Sequence, residues 1–265
     1  MLFVLCICCL HYTDKVIILQ FWSNNGSPHT GTPTTLYSDI VRKIAIAQHN
    51  TVGENILLFT LLNIAVGNTG ISTWQSKFKD NLWRPVISIR DKTTTPESYV
   101  NETWKPLGAS RSNGFEGEIN FTPPFPSYTS GHAAFGCAAF QMVANFYGTY
   151  DIHFEYTAVE FNGKTTDQFN RVRPCLKRSY SSLIEVMSEN AASRVWNGVH
   201  YSFDSIIGCN VGISIANNVW EKFTGKQALT TDEISRSVHD HLNNTPTSGY
   251  EPDFCSYTPP FPFVW

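Results

Sequence analysis

Seven residues in three short segments combine into one chemistry. Lys77 and Arg84 lie in KFKDNLWRP, Ser130, Gly131 and His132 in PSYTSGH, and Arg194 and His200 in SRVWNGVH. Three cations, a hydroxyl beside a glycine and two imidazoles suit a tetrahedral oxyanion. The cations neutralise its oxygens, one histidine attacks or ligates the central atom, and the other moves protons. Taken singly, each segment reads as structure: a solvated basic helix face, a capped helix, a helix bearing a structural histidine. All three in order arise by chance about once in tens of thousands of chains of ordinary composition.

The elements that must hold these residues are helical. Residues 36–49 alternate apolar and polar at helical spacing, and residues 54–76 are apolar on nearly every face and run toward Lys77. If that helix continues, Lys77 and Arg84 sit two turns apart, about 10 Å along the axis. Pro85 then puts Arg84 at or near the helix end. The stretch from Asn101 to Pro126 is rich in Asn, Gly, Ser and Pro and reads as a long loop. A helix follows from about Ser130 to Gly148. Its N-terminus offers free N–H groups and a positive dipole end to an anion, and Gly131 lets the backbone approach a ligand. Two more helices are expected near 181–199 and 203–222. The first carries Arg194 and His200 six apart, and the second carries Gly208 and Gly212 on one face for close packing. Residues 150–180 show no readable pattern, and no strand pair stands out, so the expected fold class is all-α.

Composition narrows the partners. Charged residues make up 15% of the 265 and the formal net charge is -3. Nothing favours nucleic acid or an anionic membrane, and any anion site must rest on a few placed cations. The apolar share of 42% supports a sizeable core. Seven cysteines show no CxxC or zinc-like spacing and read as free buried thiols. Sequons at Asn25, Asn101, Asn120 and Asn243 lean toward a secreted or extracytoplasmic setting. The opening MLFVLCICCL is too short to cross a bilayer and lacks a basic lead-in, so no membrane span is expected. The reading is an atypical leader at 1–13, a site-bearing helical domain at 14–225, and a C-terminal extension at 226–265 ending in a Pro- and aromatic-rich tail.

The order Lys-x6-Arg-Pro, Ser-Gly-His, Ser-Arg-x5-His resembles the signature of the type 2 phosphatidic acid phosphatase and vanadium haloperoxidase superfamily. STWQSKFKDNLWRPVISIR, FTPPFPSYTSGHAAFG and SRVWNGVHYSFDS resemble its vanadium-dependent haloperoxidase branch, from about Asp14 to about Phe223. The resemblance implies a helical bundle of that type, principally the second, site-bearing bundle, with the sequence N-terminally truncated. It implies vanadate as cofactor, and hydrogen peroxide and halide as substrates giving hypohalous acid. By motif, His200 holds vanadium, while Lys77, Arg84 and Arg194 neutralise vanadate oxygens. Ser130 and the Gly131 N–H hydrogen-bond those oxygens, and His132 is the acid–base. Lys77 also polarises bound peroxide, and Trp74 and Phe125 shape a halide pocket of the chloroperoxidase-like kind. Thr129 departs from the Pro usual before Ser-Gly-His, and Asn68 stands where an orienting Asp is expected. Two alternatives stay open: an acid phosphatase working through a phosphohistidine at His200, and a non-catalytic truncated homologue. Apolar surface at 17–22 and 54–76 points to a possible homo-oligomer.

Overall fold

Helix α1 (Pro33–Ala47) starts where Thr32 caps it and Pro33 presets the first turn; it buries Leu36, Tyr37, Ile40, Val41 and Ile44. Helix α2 (Val52–Asp80) opens on a capping box between Thr51 and Glu54 and stops at Asn81, whose backbone is left-handed. A short helix α3 (Pro85–Arg90) follows, then α4 (Gly131–Tyr147), which ends at Gly148. Strands β1 (Phe154–Asn162) and β2 (Cys175–Tyr180) precede α5 (Leu183–Trp196), α6 (Ser202–Thr224) and α7 (Glu233–Asn243). This computed structural model describes residues 18–19, 21–24, 30–93, 100–106, 122–166 and 170–243. The expected leader at 1–13, the loop interior at 107–121 and the tail after Gly249 lie outside the described residues.

Helix α4 is the axis of the bundle, buried almost throughout from Ala133 to Asn145. It packs most closely against α6 and also touches α2, α5 and α1. The paired glycines explain the closeness. A Cβ on Gly212 would stand 2.1 Å from the Ala134 carbonyl oxygen, and one on Gly208 would stand 2.7 Å from that of Ser130. The same two helices are fastened by a disulfide between Cys137 and Cys209. This corrects the reading of those cysteines as free thiols: their spacing carries no motif because the bond joins separate helices. Helix α7 lies beyond residue 225 and adds Ile234 and Val238 to the same core.

The fold is helical with one addition, an antiparallel β1–β2 pair in which Phe154 faces Tyr180. Phe154, Tyr156, Ala158 and Phe161 are buried against the bundle. Their alternation breaks between Thr157 and Asn162, where the register shifts, and that break hides the strand from a period-two reading. Helix α2 is long and apolar enough to cross a membrane by length and composition alone. Its Leu58, Leu61, Leu62 and Ala65 line lies in the core, while Ile56, Ile71 and Phe78 are exposed.

Candidate active site

The cations come from helix ends rather than from one continuous helix. Helix α2 stops at Asp80, so Lys77 sits in its last turn, and Arg84 is the extended residue that begins α3. The two therefore do not share one continuous helix, the condition for the two-turn spacing, while Arg84 does sit at a helix end as Pro85 implied. Likewise α5 ends at Trp196, and His200 lies in the turn before α6. Gly198 makes that turn with φ of 75°, and a Cβ there would stand 2.9 Å from the Trp104 ring. The turn swings His200 back toward Arg84.

The loop from Phe125 to Ser127 is strung between two cations. Lys77 is fully buried and its Nζ donates to the carbonyls of Pro126 at 3.0 Å and Ser127 at 2.8 Å. Its ammonium stands 5.3 Å from the Phe125 ring centre and 5.8 Å from that of Trp74. Arg84 Nε donates to the Phe125 carbonyl at 3.0 Å, and Nη1 donates to that of Val199 at 2.8 Å. Nη1 also lies 3.0 Å from His200 Nε2. Arg194 Nη1 donates to the Trp22 carbonyl at 3.2 Å. Ser130 holds the cap position of α4 without making a side-chain cap, and Gly131 opens the helix against Trp74. His132 is half-buried, its Nε2 3.0 Å from the Asn24 carbonyl oxygen and its own carbonyl held by Tyr37 and Asn190.

Asp204 is the residue that sequence reasoning missed. It is fully buried, one turn beyond His200, and its Oδ2 lies 3.0 Å from His200 Nδ1. The same oxygen accepts from the Ser127 hydroxyl and, at 3.3 Å, from the Tyr201 N–H. A carboxylate only accepts, so Nδ1 carries a hydrogen and the Nε2 lone pair faces the cations. The His-x3-Asp spacing in VHYSFD was the available signal. Asn68, where a carboxylate was expected, is exposed on α2.

Positive charge dominates the cluster. Burial, then the Arg84 charge, pushes Lys77 down to about 7. Burial, then Arg194, lowers Arg84 to about 10, and burial lowers Arg194 to about 10. Both histidines are held well below their ordinary value by burial first. The next cause is Arg194 for His132 and Arg84 for His200. Burial raises Asp204, the carboxylate that offsets Lys77 and Arg84. Within this buried group Arg84 Nη2, Arg194 Nε and Ser130 Oγ have no partner among the described residues. Buried donors are ordinarily satisfied, and buried like charges repel; a tetrahedral oxyanion would answer both demands. The seven residues from the three motifs thus converge, with Trp74 and Phe125 5.3 Å apart beside Lys77.

Known proteins are similar to this chain in sequence and in fold. The model described as the VCPO second helical-bundle domain matches residues 57–227. Vanadium chloroperoxidase from Curvularia inaequalis is 35% identical over 257 residues, covering 84% of this chain and 40% of that protein. The structure of a bacterial vanadium-dependent iodoperoxidase superposes with a TM-score of 0.61 at 23% identity, over 84% of this chain and 46% of that one. A holo-type bacterial vanadium-dependent chloroperoxidase gives 0.51 at 17% identity, over 86% and 48%. The chain spans less than half the length of each of these relatives.

Proposed function

This chain belongs to the VCPO second helical-bundle family, and from that premise we propose that its cationic cluster holds vanadate and serves the oxidation of halide by hydrogen peroxide. The observation that carries this is the set of buried donors without a partner among the described residues, Arg84 Nη2, Arg194 Nε and Ser130 Oγ, gathered beside an imidazole whose unprotonated Nε2 lies 3.0 Å from Arg84 Nη1.

Each residue has a part set by its atoms. His200 Nε2 would be the protein's bond to vanadium, kept in the right tautomer by Asp204. Arg84, Arg194 and Lys77 would balance the anion's charge, the arginines through directed N–H groups. Ser130 Oγ and the Gly131 N–H would donate to its oxygens at the head of α4. Bound there, vanadate supplies a Lewis-acid centre that makes peroxide an oxidant for halide. His132, neutral at pH 7, is placed to take a proton. Trp74 and Phe125 keep water from Lys77 and lower the local dielectric around its charge.

A second reading draws on the His200–Asp204 pair, which also orients a nucleophile for a phosphohistidine. Orthovanadate titration of the purified chain, with bromide oxidation and phosphate monoester hydrolysis assayed in parallel, tests both. The first reading predicts saturable vanadate binding, vanadate-dependent bromide oxidation and loss of tight vanadate binding in His200→Ala. Equal vanadate affinity in His200→Ala would remove the ligand role. Monoester hydrolysis inhibited by vanadate, with no halide oxidation, would favour the phosphatase.

A further inference from the structure

Residues 21–24 form a wall of the site that none of the three motifs includes. Phe21, Trp22, Ser23 and Asn24 are all buried. Two of their carbonyls face the cluster: that of Trp22 accepts from Arg194 Nη1 at 3.2 Å, and that of Asn24 lies 3.0 Å from His132 Nε2. One short segment therefore fixes a cation and an imidazole together.

The segment is held from behind by a carboxylate. Trp22 Nε1 donates to Glu189 Oε1 at 2.9 Å. Glu189 also accepts from the Tyr180 hydroxyl at 2.7 Å and from Arg178 Nε at 3.2 Å, in a buried ion pair with Arg178. Glu189 lies on α5 five residues before Arg194 and beside Asn190, whose amide donates to the His132 carbonyl at 2.9 Å. Buried ion pairs often fail to repay their desolvation, so a role in fixing position accounts for this one better than stability does.

We propose that Glu189 is a positioning residue of the site, acting through Trp22: it clamps the segment whose carbonyls aim Arg194 and set the tautomer of His132. A carbonyl oxygen only accepts hydrogen bonds. His132 Nε2 therefore carries the hydrogen, and in the neutral ring Nδ1 is the bare nitrogen that takes a proton. The proton-transfer role rests on the function proposed above; the tautomer and the clamp do not.

The test is the ring-nitrogen NMR spectrum of the ligand-free chain at neutral pH, with His132 assigned through His132→Gln, together with the affinity for inorganic phosphate. The wild type should show His132 as a single tautomer protonated at Nε2. Trp22→Phe deletes the N–H and keeps an aromatic ring. It should give averaged tautomers and about three- to tenfold weaker phosphate binding, with the far-UV spectrum unchanged. Glu189→Gln should move both readouts the same way. Because Glu189→Gln also removes the charge that pairs with Arg178, Trp22→Phe is the cleaner variant. A wild-type His132 protonated at Nδ1 overturns the proposal without any variant. A folded Trp22→Phe with unchanged tautomer and phosphate affinity overturns the clamp. Failure of halide oxidation would leave these readouts standing, so the two ideas fail separately.

Discussion

Lys77 is the residue whose charge the pocket controls most directly. With its amine pushed down to about 7 by burial and then by Arg84, the folded, ligand-free chain has released a proton that the unfolded chain keeps up to about 10.5. Across that window the unfolded state binds more protons, so stability should rise with pH from 7 toward 10. Urea midpoints at pH 7 and pH 9 should show the rise, and Lys77→Met should flatten it. A bound dianion reverses the shift. Above pH 7 phosphate binding should take up a proton, and affinity should fall by at most about tenfold per pH unit. A pH-independent affinity between 7.5 and 9 would show that Lys77 is charged without a ligand. Phe125 sits 5.3 Å from that ammonium. An active protein should oxidise bromide more readily than chloride, and Phe125→Ala should lower the chloride rate more than the bromide rate. Equal losses would take Phe125 out of halide choice. At this scale the site was largely legible, because cations and histidines stand out in a chain with 15% charged residues. Asp204 and Glu189 were not, since a carboxylate on a helix reads as surface until its burial is seen.

At the scale of elements, the site depends on where helices stop. Asn81 ends α2 and Gly198 makes the turn after α5, and these two breaks bring Lys77, Arg84 and His200 together. Periodicity located α1, α2, α4, α5 and α6 but misplaced their ends, carrying α5 past Trp196 and stopping α2 short of Asp80 and α6 short of Thr224. Apolar spacing reports which face is buried, while a left-handed Asn or Gly decides where the backbone turns. The seam between α4 and α6 is the element contact most sensitive to a single atom. Gly212→Ala places a methyl 2.1 Å from the Ala134 carbonyl oxygen, so the helices must move apart. The expected cost is about 3 kcal/mol, the upper end for overpacking, seen as a lower urea midpoint. The displacement should reach Ser130, which shares the seam through Gly208, and weaken phosphate binding as well. A variant as stable as the wild type would mean that the helices pack less closely than described.

For the whole molecule, the Cys137–Cys209 bond closes a loop across 72 residues and ties the site-bearing α4 to α6. Chain-entropy arguments assign such a loop about 4 kcal/mol, with strain reducing it. Reduction or Cys137→Ala should therefore lower the unfolding temperature, and an unchanged temperature would show that the bond contributes nothing. Outside the core, α2 leaves Ile56, Ile71 and Phe78 exposed along one helix. Apolar faces of this kind favour association, so sedimentation should show mass increasing with concentration and Ile71→Lys should reverse it. A monomer at all concentrations would contradict this. These features bear on how the site is presented; the proposed function itself rests on seven residues from three motifs acting as one oxyanion-binding cluster. A crystal of the chain soaked in orthovanadate tests it most directly. Density for an oxyanion bonded to His200 Nε2 and contacting Arg84, Arg194, Lys77, Ser130 and the Gly131 N–H is expected. Vanadate bound elsewhere, or a fully soaked crystal with this cluster empty, would contradict it.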